Sequence, residues 1–229
     1  MDPFLLVENH SLSRLASDYK KCKKCSHVLN LGPHSSTYTC RICGLENQIP
    51  YPFLDLNLLI MVDLMQDSYI TATTLQPESP NFTVPVEQAR LASVVVYFCT
   101  VKELLLHRFI SHFLAEFPLP VSFLESWDNH YFTDSQRREE LLPSLVGMSW
   151  DKLSDSLSDP QNQFKTMSAF LKKASVSRNN LLHEGNSFDI DPYLAKACLE
   201  NFLPLMEFYA RLNNKYVHEL RMSSIRKLP

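Results

Sequence analysis

The sequence predicts a mainly α-helical protein that carries a small metal-stapled module near its N-terminus. Two paired-cysteine knuckles, Cys22-Lys23-Lys24-Cys25 and Cys40-Arg41-Ile42-Cys43, lie 14 residues apart. From residue 53 onward, apolar residues recur at helical intervals. Only 4 glycines occur in 229 residues, well below the usual ~7%, which disfavours glycine-rich phosphate loops and many-turned β architectures. No G-x-G-x-x-G or G-x-x-x-x-G-K string is present, so nucleotide-binding folds of those types are not expected.

Taken in order, Leu12, Leu15 and Tyr19 share a helical spacing, and a short helix is expected within Glu8–Lys20. The knuckle region follows as turns and short strands, with Ser36-Thr37-Tyr38-Thr39 favouring strand and Gly44 supplying a tight turn. Pro50 and Pro52 mark a boundary, which gives an N-terminal module over 1–52 and a helical domain over 53–229. A helix is expected over Phe53–Ala72, a loop over Gln76–Val84, and a long central helix over Val86–Glu116. The stretch Pro120–Pro160 is less regular, with shorter helices at Asp134–Leu142 and Trp150–Leu157. Asp159-Pro160 and Asp191-Pro192 each read as a helix start, with aspartate as N-cap and proline in the first turn. The first of these helices should end near Gly185, and the second should run through Leu212. The tail after Tyr216 is basic and expected to be loose.

The net charge of -3 argues against a protein that coats duplex DNA by charge alone. Local basic clusters remain, at Lys20, Lys21, Lys23, Lys24 and Arg41, and at Lys172, Lys173 and Arg178. Met1-Asp2-Pro3-Phe4 lacks a basic region followed by an apolar run, so no secretory signal is expected. No apolar stretch approaches the ~18 residues needed to span a bilayer. A cytoplasmic setting with no membrane partner is the resulting expectation.

In that setting, paired CxxC motifs point to metal rather than to disulfides. Each CxxC turn directs two sulfurs at one ion, so Cys22, Cys25, Cys40 and Cys43 are expected to hold one structural Zn2+ per chain. His27 and His34 lie between the knuckles and are not needed as ligands. A module this small has little core, so metal binding should supply its folding energy. The ribbon could grip nucleic acid, touch a partner or brace the fold. Cys99 and Cys198 lie in apolar helical patterns and are read as small buried hydrophobes.

The second chemical feature is Arg178-Asn179-Asn180-Leu181-Leu182-His183. A histidine can exchange a proton near neutral pH, and an arginine guanidinium can hold two phosphate oxygens. Together they suit metal-free RNA cleavage, in which the substrate's 2′-hydroxyl attacks the adjacent phosphate. Asn179, four residues before His183, shares its helical face and can orient the ring or bind phosphate. Arg178 lies five residues away, ~140° around an ideal helix. Either the arginine reaches round, or the helix loosens, or a second copy completes the site; the last option predicts a symmetric dimer. His107, His112, His130 and His218 read as ordinary polar residues.

The string Arg178-Asn179-Asn180-Leu181-Leu182-His183-Glu184-Gly185, at the end of a helix in a helical domain, resembles the signature of the HEPN superfamily (higher eukaryotes and prokaryotes nucleotide-binding). The resemblance covers about residues 53–218, with its specific part in those eight residues. It implies a HEPN-like helical bundle, commonly dimeric, and in many members a metal-independent endoribonuclease of toxin–antitoxin, phage-defence or RNA-processing systems. It also implies an acidic residue on an earlier long helix, for which Glu103 is the candidate and Glu87 the weaker one. The catalytic set implied is Arg178, Asn179, His183 and Glu103, with no catalytic metal. The expected partners are an RNA substrate, a second copy of the chain, and an antitoxin or regulatory protein. A catalytically inert dimeric scaffold, whose ribbon binds nucleic acid or a protein, is the alternative.

Overall fold

The computed structural model describes residues 11–32, 37–48, 51–74, 83–158 and 164–225. The protein is mainly helical, with a small cysteine-bearing ribbon near its N-terminus. Helix α1 (Leu12–Ser17) is followed by the short strands β1 (Tyr19–Lys21), β2 (Val28–Asn30), β3 (Tyr38–Thr39), β4 (Glu46–Asn47) and β5 (Tyr51–Pro52). The helices α2 (Leu56–Thr74), α3 (Thr83–Leu114), α4 (Val121–His130) and α5 (Asp134–Gln136) come next. A π-helical turn over Arg137–Leu141 leads into α6 (Leu142–Val146), α7 (Trp150–Leu157), α8 (Phe164–Glu184) and α9 (Pro192–Leu212). A second π-helical turn (Asn213–His218) and α10 (Glu219–Ile225) complete the described chain.

The chain divides into two compact units that interleave in sequence. The first comprises residues 1–17, 54–102 and 166–205, and the second residues 18–53, 103–165 and 206–229. Residues 18–53, with the ribbon, thus group with 103–165 and 206–229.

In the first unit, α1 docks on α2 through Leu12 and Ala16, and the Leu12 amide donates to the buried Gln66 side chain at 2.8 Å. Asp55 caps α2 by accepting from the Leu58 amide. The core is built from Leu91, Val94, Val95 and Phe98 of α3 with Leu171 and Ala174 of α8 and Leu194, Cys198 and Phe202 of α9. Burying such side chains supplies about 1.5–3 kcal/mol each. Cys99 and Cys198 are both fully buried, as expected of small apolar side chains.

In the second unit, β1 is the centre of an antiparallel sheet of order β2-β1-β5, with Lys20 opposite Leu29 on one side and Pro52 on the other. A separate ribbon pairs β3 with β4, Tyr38 opposite Asn47. The Phe208 ring sits at the centre of the helical core, 5.0 Å from Trp150 and 5.3 Å from Phe164. Arg211 lies over Phe164, pairs with Glu207 at 2.8 Å and donates to the Leu157 carbonyl.

Several expectations need correction. Tyr19 belongs to β1, not to the first helix, because pairing with β2 takes over after Ser17 and its hydroxyl donates to Glu207. The central helix begins at Thr83, so Pro85 lies in its first turn, where a missing N–H costs no helical bond. A helix over Val121–His130 was not expected; it buries a single large side chain, Trp127. The tail after Tyr216 is helical through Ile225. The expected helix start at Asp159-Pro160 lies outside the described residues, as do Ser36, Pro50 and most of the loop over Gln76–Val84.

Candidate functional site

The two knuckles repeat one backbone pattern. In the first, the Ser26 amide donates to the Cys22 carbonyl and the Cys22 amide to the His27 carbonyl, both at 2.9 Å. In the second, Gly44 donates to Cys40 and Cys40 to Leu45, both at 2.8 Å. The residue after each CxxC adopts a left-handed conformation: Gly44 at φ +70° and Ser26 at φ +60°. Glycine takes that conformation without steric cost, whereas serine needs support.

The turns bring the four sulfurs of Cys22, Cys25, Cys40 and Cys43 within 4.8 Å of one another. Cys22 and Cys43 are 3.6 Å apart, as are Cys25 and Cys40. A tetrahedral ion with metal–sulfur bonds of ~2.3 Å needs sulfur–sulfur edges of about 3.8 Å, whereas a disulfide needs about 2.05 Å. The spacing therefore fits a shared ion. Among the described residues, these four cysteines are the group arranged to hold a metal.

The thiols do not ionise alike. Burial opposes ionisation of Cys22, but the backbone amides of Cys25 and Lys24 and the Cys43 thiol outweigh it and bring the thiol down to about 7. Burial pushes Cys25 and Cys43 up. Outer contacts fix the sulfurs: the buried Asn47 side chain donates toward the Cys22 sulfur at 3.8 Å and to the Leu45 carbonyl, and accepts from the Lys23 amide.

No motif in the chain marks what holds the ribbon from its other side. Asn213 donates to the Ser26 carbonyl at 2.7 Å, and His218 Nδ1 binds the Cys25 carbonyl at 2.7 Å. Asn214 both donates to the Val28 carbonyl and accepts from its amide, completing the strand edge as a neighbouring strand would. Arg221 donates to the Ser26 hydroxyl and pairs with Glu116 at 3.3 Å. The π-helical turn explains the set. Its backbone bonds run from i to i+5, so residues five apart, such as 213 and 218, return to one side. In an α-helix they would diverge by ~140°.

Arg178, Asn179 and His183 all lie on α8, which is regular through Glu184. Gly185, at φ +65°, ends the helix, its amide donating to the Leu181 carbonyl. Arg178 is half-buried, on the side of the helix that carries Ala174 and Leu171, whereas Asn179 and His183 are exposed. The helix does not loosen, so the two groups diverge by ~140° within one copy. Glu103 is half-buried on α3 and belongs to the second compact unit, whereas Arg178, Asn179, His183 and Glu87 belong to the first.

His107 and His112 have structural surroundings. His107 stacks on Trp127 at 4.9 Å and faces Asp128. His112 lines a small apolar cavity with Leu105, Phe109 and Tyr209, and burial together with Lys21, Arg108 and Arg221 lowers its pKa to about 4.

Fold and sites together define a mainly helical protein with a four-cysteine centre able to hold a metal ion and a helix end that exposes Asn179 and His183 beside a half-buried Arg178. No helix among the described residues is long and apolar enough to cross a membrane. No family model, curated protein or solved structure matches the chain.

Proposed function

We propose that this chain is a HEPN-type, metal-independent endoribonuclease acting on single-stranded or looped RNA, whose four cysteines hold one structural Zn2+. The observation that carries the reading is the end of α8. An exposed imidazole with an amide on the same face, and a half-buried arginine on the helix flank, lie within six residues.

In the proposed reaction the 2′-oxygen forms a bond to phosphorus as the bond to the 5′-oxygen breaks. The 2′-hydroxyl proton leaves, and the departing 5′-oxygen gains one. His183 takes part in proton transfer, Arg178 stabilises the charge on the phosphoryl oxygens, and Asn179 orients the ring or the phosphate. The products are a 2′,3′-cyclic phosphate and a 5′-hydroxyl. The setting proposed is cytoplasmic, in a toxin–antitoxin or phage-defence role with a neutralising protein.

Because Arg178 and His183 diverge on a regular helix, one phosphate held by both calls for a second copy of α8 in a two-fold dimer. Mixing experiments test this. Arg178→Ala and His183→Ala proteins, inactive alone, should recover about a quarter of parent activity when exchanged 1:1, since half the dimers then carry one intact site. No recovery, or a monomer mass by light scattering at micromolar concentration, would remove the shared site.

A second reading, a non-catalytic scaffold, draws support from the ribbon surface, where Lys23, Lys24, Arg41 and Ile42 are exposed on the two knuckles. Such a surface suits nucleic acid or a protein partner.

A further inference from the structure

The same helix that carries His183 forms one wall of an open cleft of about 530 Å³. Lys172, Lys173 and Val176 of α8 line this wall, and Phe188, Asp189 and Asp191 line the other. At 100° per residue, Lys172, Val176 and His183 lie within about 40° of one another on α8. Lys173 and Ser177 lie 100° and 140° round from Lys172, so the wall spans that arc and His183 continues one edge of it.

The opposite wall is held in place and presents an aromatic ring to solvent. Phe188 is 94% exposed. The loop beneath it is fixed on both sides, because Gln88 Nε2 donates to the carbonyls of Ser187 and Ile190, each at 2.8 Å. The Phe188 amide donates to Asn186 Oδ1 and the Ile190 amide to the Ser187 carbonyl, and Ile190 is buried. A loop pinned by a buried residue has no need of an outward phenylalanine for its own stability. The two aspartates have local duties: Asp191 caps α9 by accepting from the Leu194 amide at 2.7 Å, and Asp189 accepts from Asn180.

We infer that this cleft is the approach track for single-stranded RNA, with a base stacked on Phe188 and the adjoining phosphates on Lys172 and Lys173. The inference rests on the ribonuclease reading above and specifies its substrate path. The charge arrangement sets the orientation: the lysine wall takes the phosphates, and the aspartate wall turns them away and leaves the base to the ring. Aromatic stacking tolerates any base, so the track confers a preference for unpaired strand rather than for sequence.

The test is equilibrium binding of a fluorescent single-stranded RNA of about a dozen nucleotides to His183→Ala protein, which cannot cut it. Adding Phe188→Ala should weaken binding about tenfold, and Phe188→Tyr should retain it. Lys172→Gln with Lys173→Gln should flatten the log–log salt dependence by about 1.4, at ~0.7 per phosphate contact on single strands. If His183→Ala protein binds RNA and neither change alters affinity or salt slope, the track is overturned while the ribonuclease reading stands. If the parent neither binds nor cuts RNA, both fall. If Phe188→Ala instead shifts the light-scattering mass from dimer to monomer, the cleft joins two copies and the RNA track is overturned.

Discussion

The cysteine centre and the end of α8 solve opposite problems. The centre is closed: three of its four cysteines are fully buried, and Asn47, Asn213 and His218 satisfy the groups around them. The helix end is open, with Asn179 and His183 facing solvent and Arg178 turned toward the helix flank. A closed site is complete within the chain, and its geometry can be checked against the ion it would hold. An open site acquires its remaining partners from outside, which in the proposed reading are an RNA phosphate and a second copy.

The contrast is broken most forcefully at the metal. Cys40→Ser, or exhaustive chelation, should unfold the ribbon, since structural zinc contributes about 10–16 kcal/mol in small modules at neutral pH. Hydrogen exchange should show lost protection over 18–53 and also over 213–225, because the π turn and α10 are bonded to the knuckle. Protection lost evenly over the whole chain, or confined to 18–53, would contradict that coupling. Elemental analysis of protein purified under reducing conditions should give one zinc per chain.

Smaller effects sharpen the same comparison. Asn213→Ala and His218→Ala each strip a partner from a knuckle carbonyl, at a cost of about 1–3 kcal/mol in denaturant unfolding. His183→Ala, at an exposed position, should leave stability within about 0.5 kcal/mol of the parent. Equal losses from all three would erase the distinction between closed and open sites.

A pH effect is smaller still. His112 has its folded pKa lowered to about 4 from 6.5 by burial and by Lys21, Arg108 and Arg221. The unfolded chain therefore binds more protons between pH 6.5 and 4, so stability is full above 6.5 and declines as pH falls through that window. After allowance for partial exposure, the loss should be roughly 1–2 kcal/mol. His112→Gln should remove that part of the acid sensitivity; identical pH profiles for parent and variant would contradict it.

What could be read from the sequence was local. CxxC spacing fixes sulfur positions through one tight turn each, and Asp191-Pro192 and Gly185 mark helix ends through backbone groups a few residues away. What could not be read was set by distant partners. The π turn at Asn213–His218 has no spacing signature and is stabilised by a knuckle nearly two hundred residues earlier in the chain. Ser26 likewise gives no sign that it takes the conformation glycine takes at Gly44, since Asn213 and Arg221 support it there. Helix α4 buries only Trp127 and leaves Val121 and Phe123 exposed, so its apolar residues do not mark one buried face. The Arg178–His183 string could be placed on a helix, and in the proposed reading a second copy and an RNA complete it.

Cleavage itself is the most direct test. Zinc-loaded protein is incubated with a mixed single-stranded RNA, and in parallel with DNA of the same sequence, with chelator present only long enough to remove free divalent ions. RNA products ending in 2′,3′-cyclic phosphate are expected, with DNA, which lacks the 2′-hydroxyl nucleophile, left intact and the rate unchanged by chelator. His183→Ala and Arg178→Ala should each lower that rate by ~10²–10³, and Asn179→Ala by less. Cleavage of DNA at a comparable rate, or His183→Ala activity within about threefold of the parent where ~10²–10³ is expected, would contradict it.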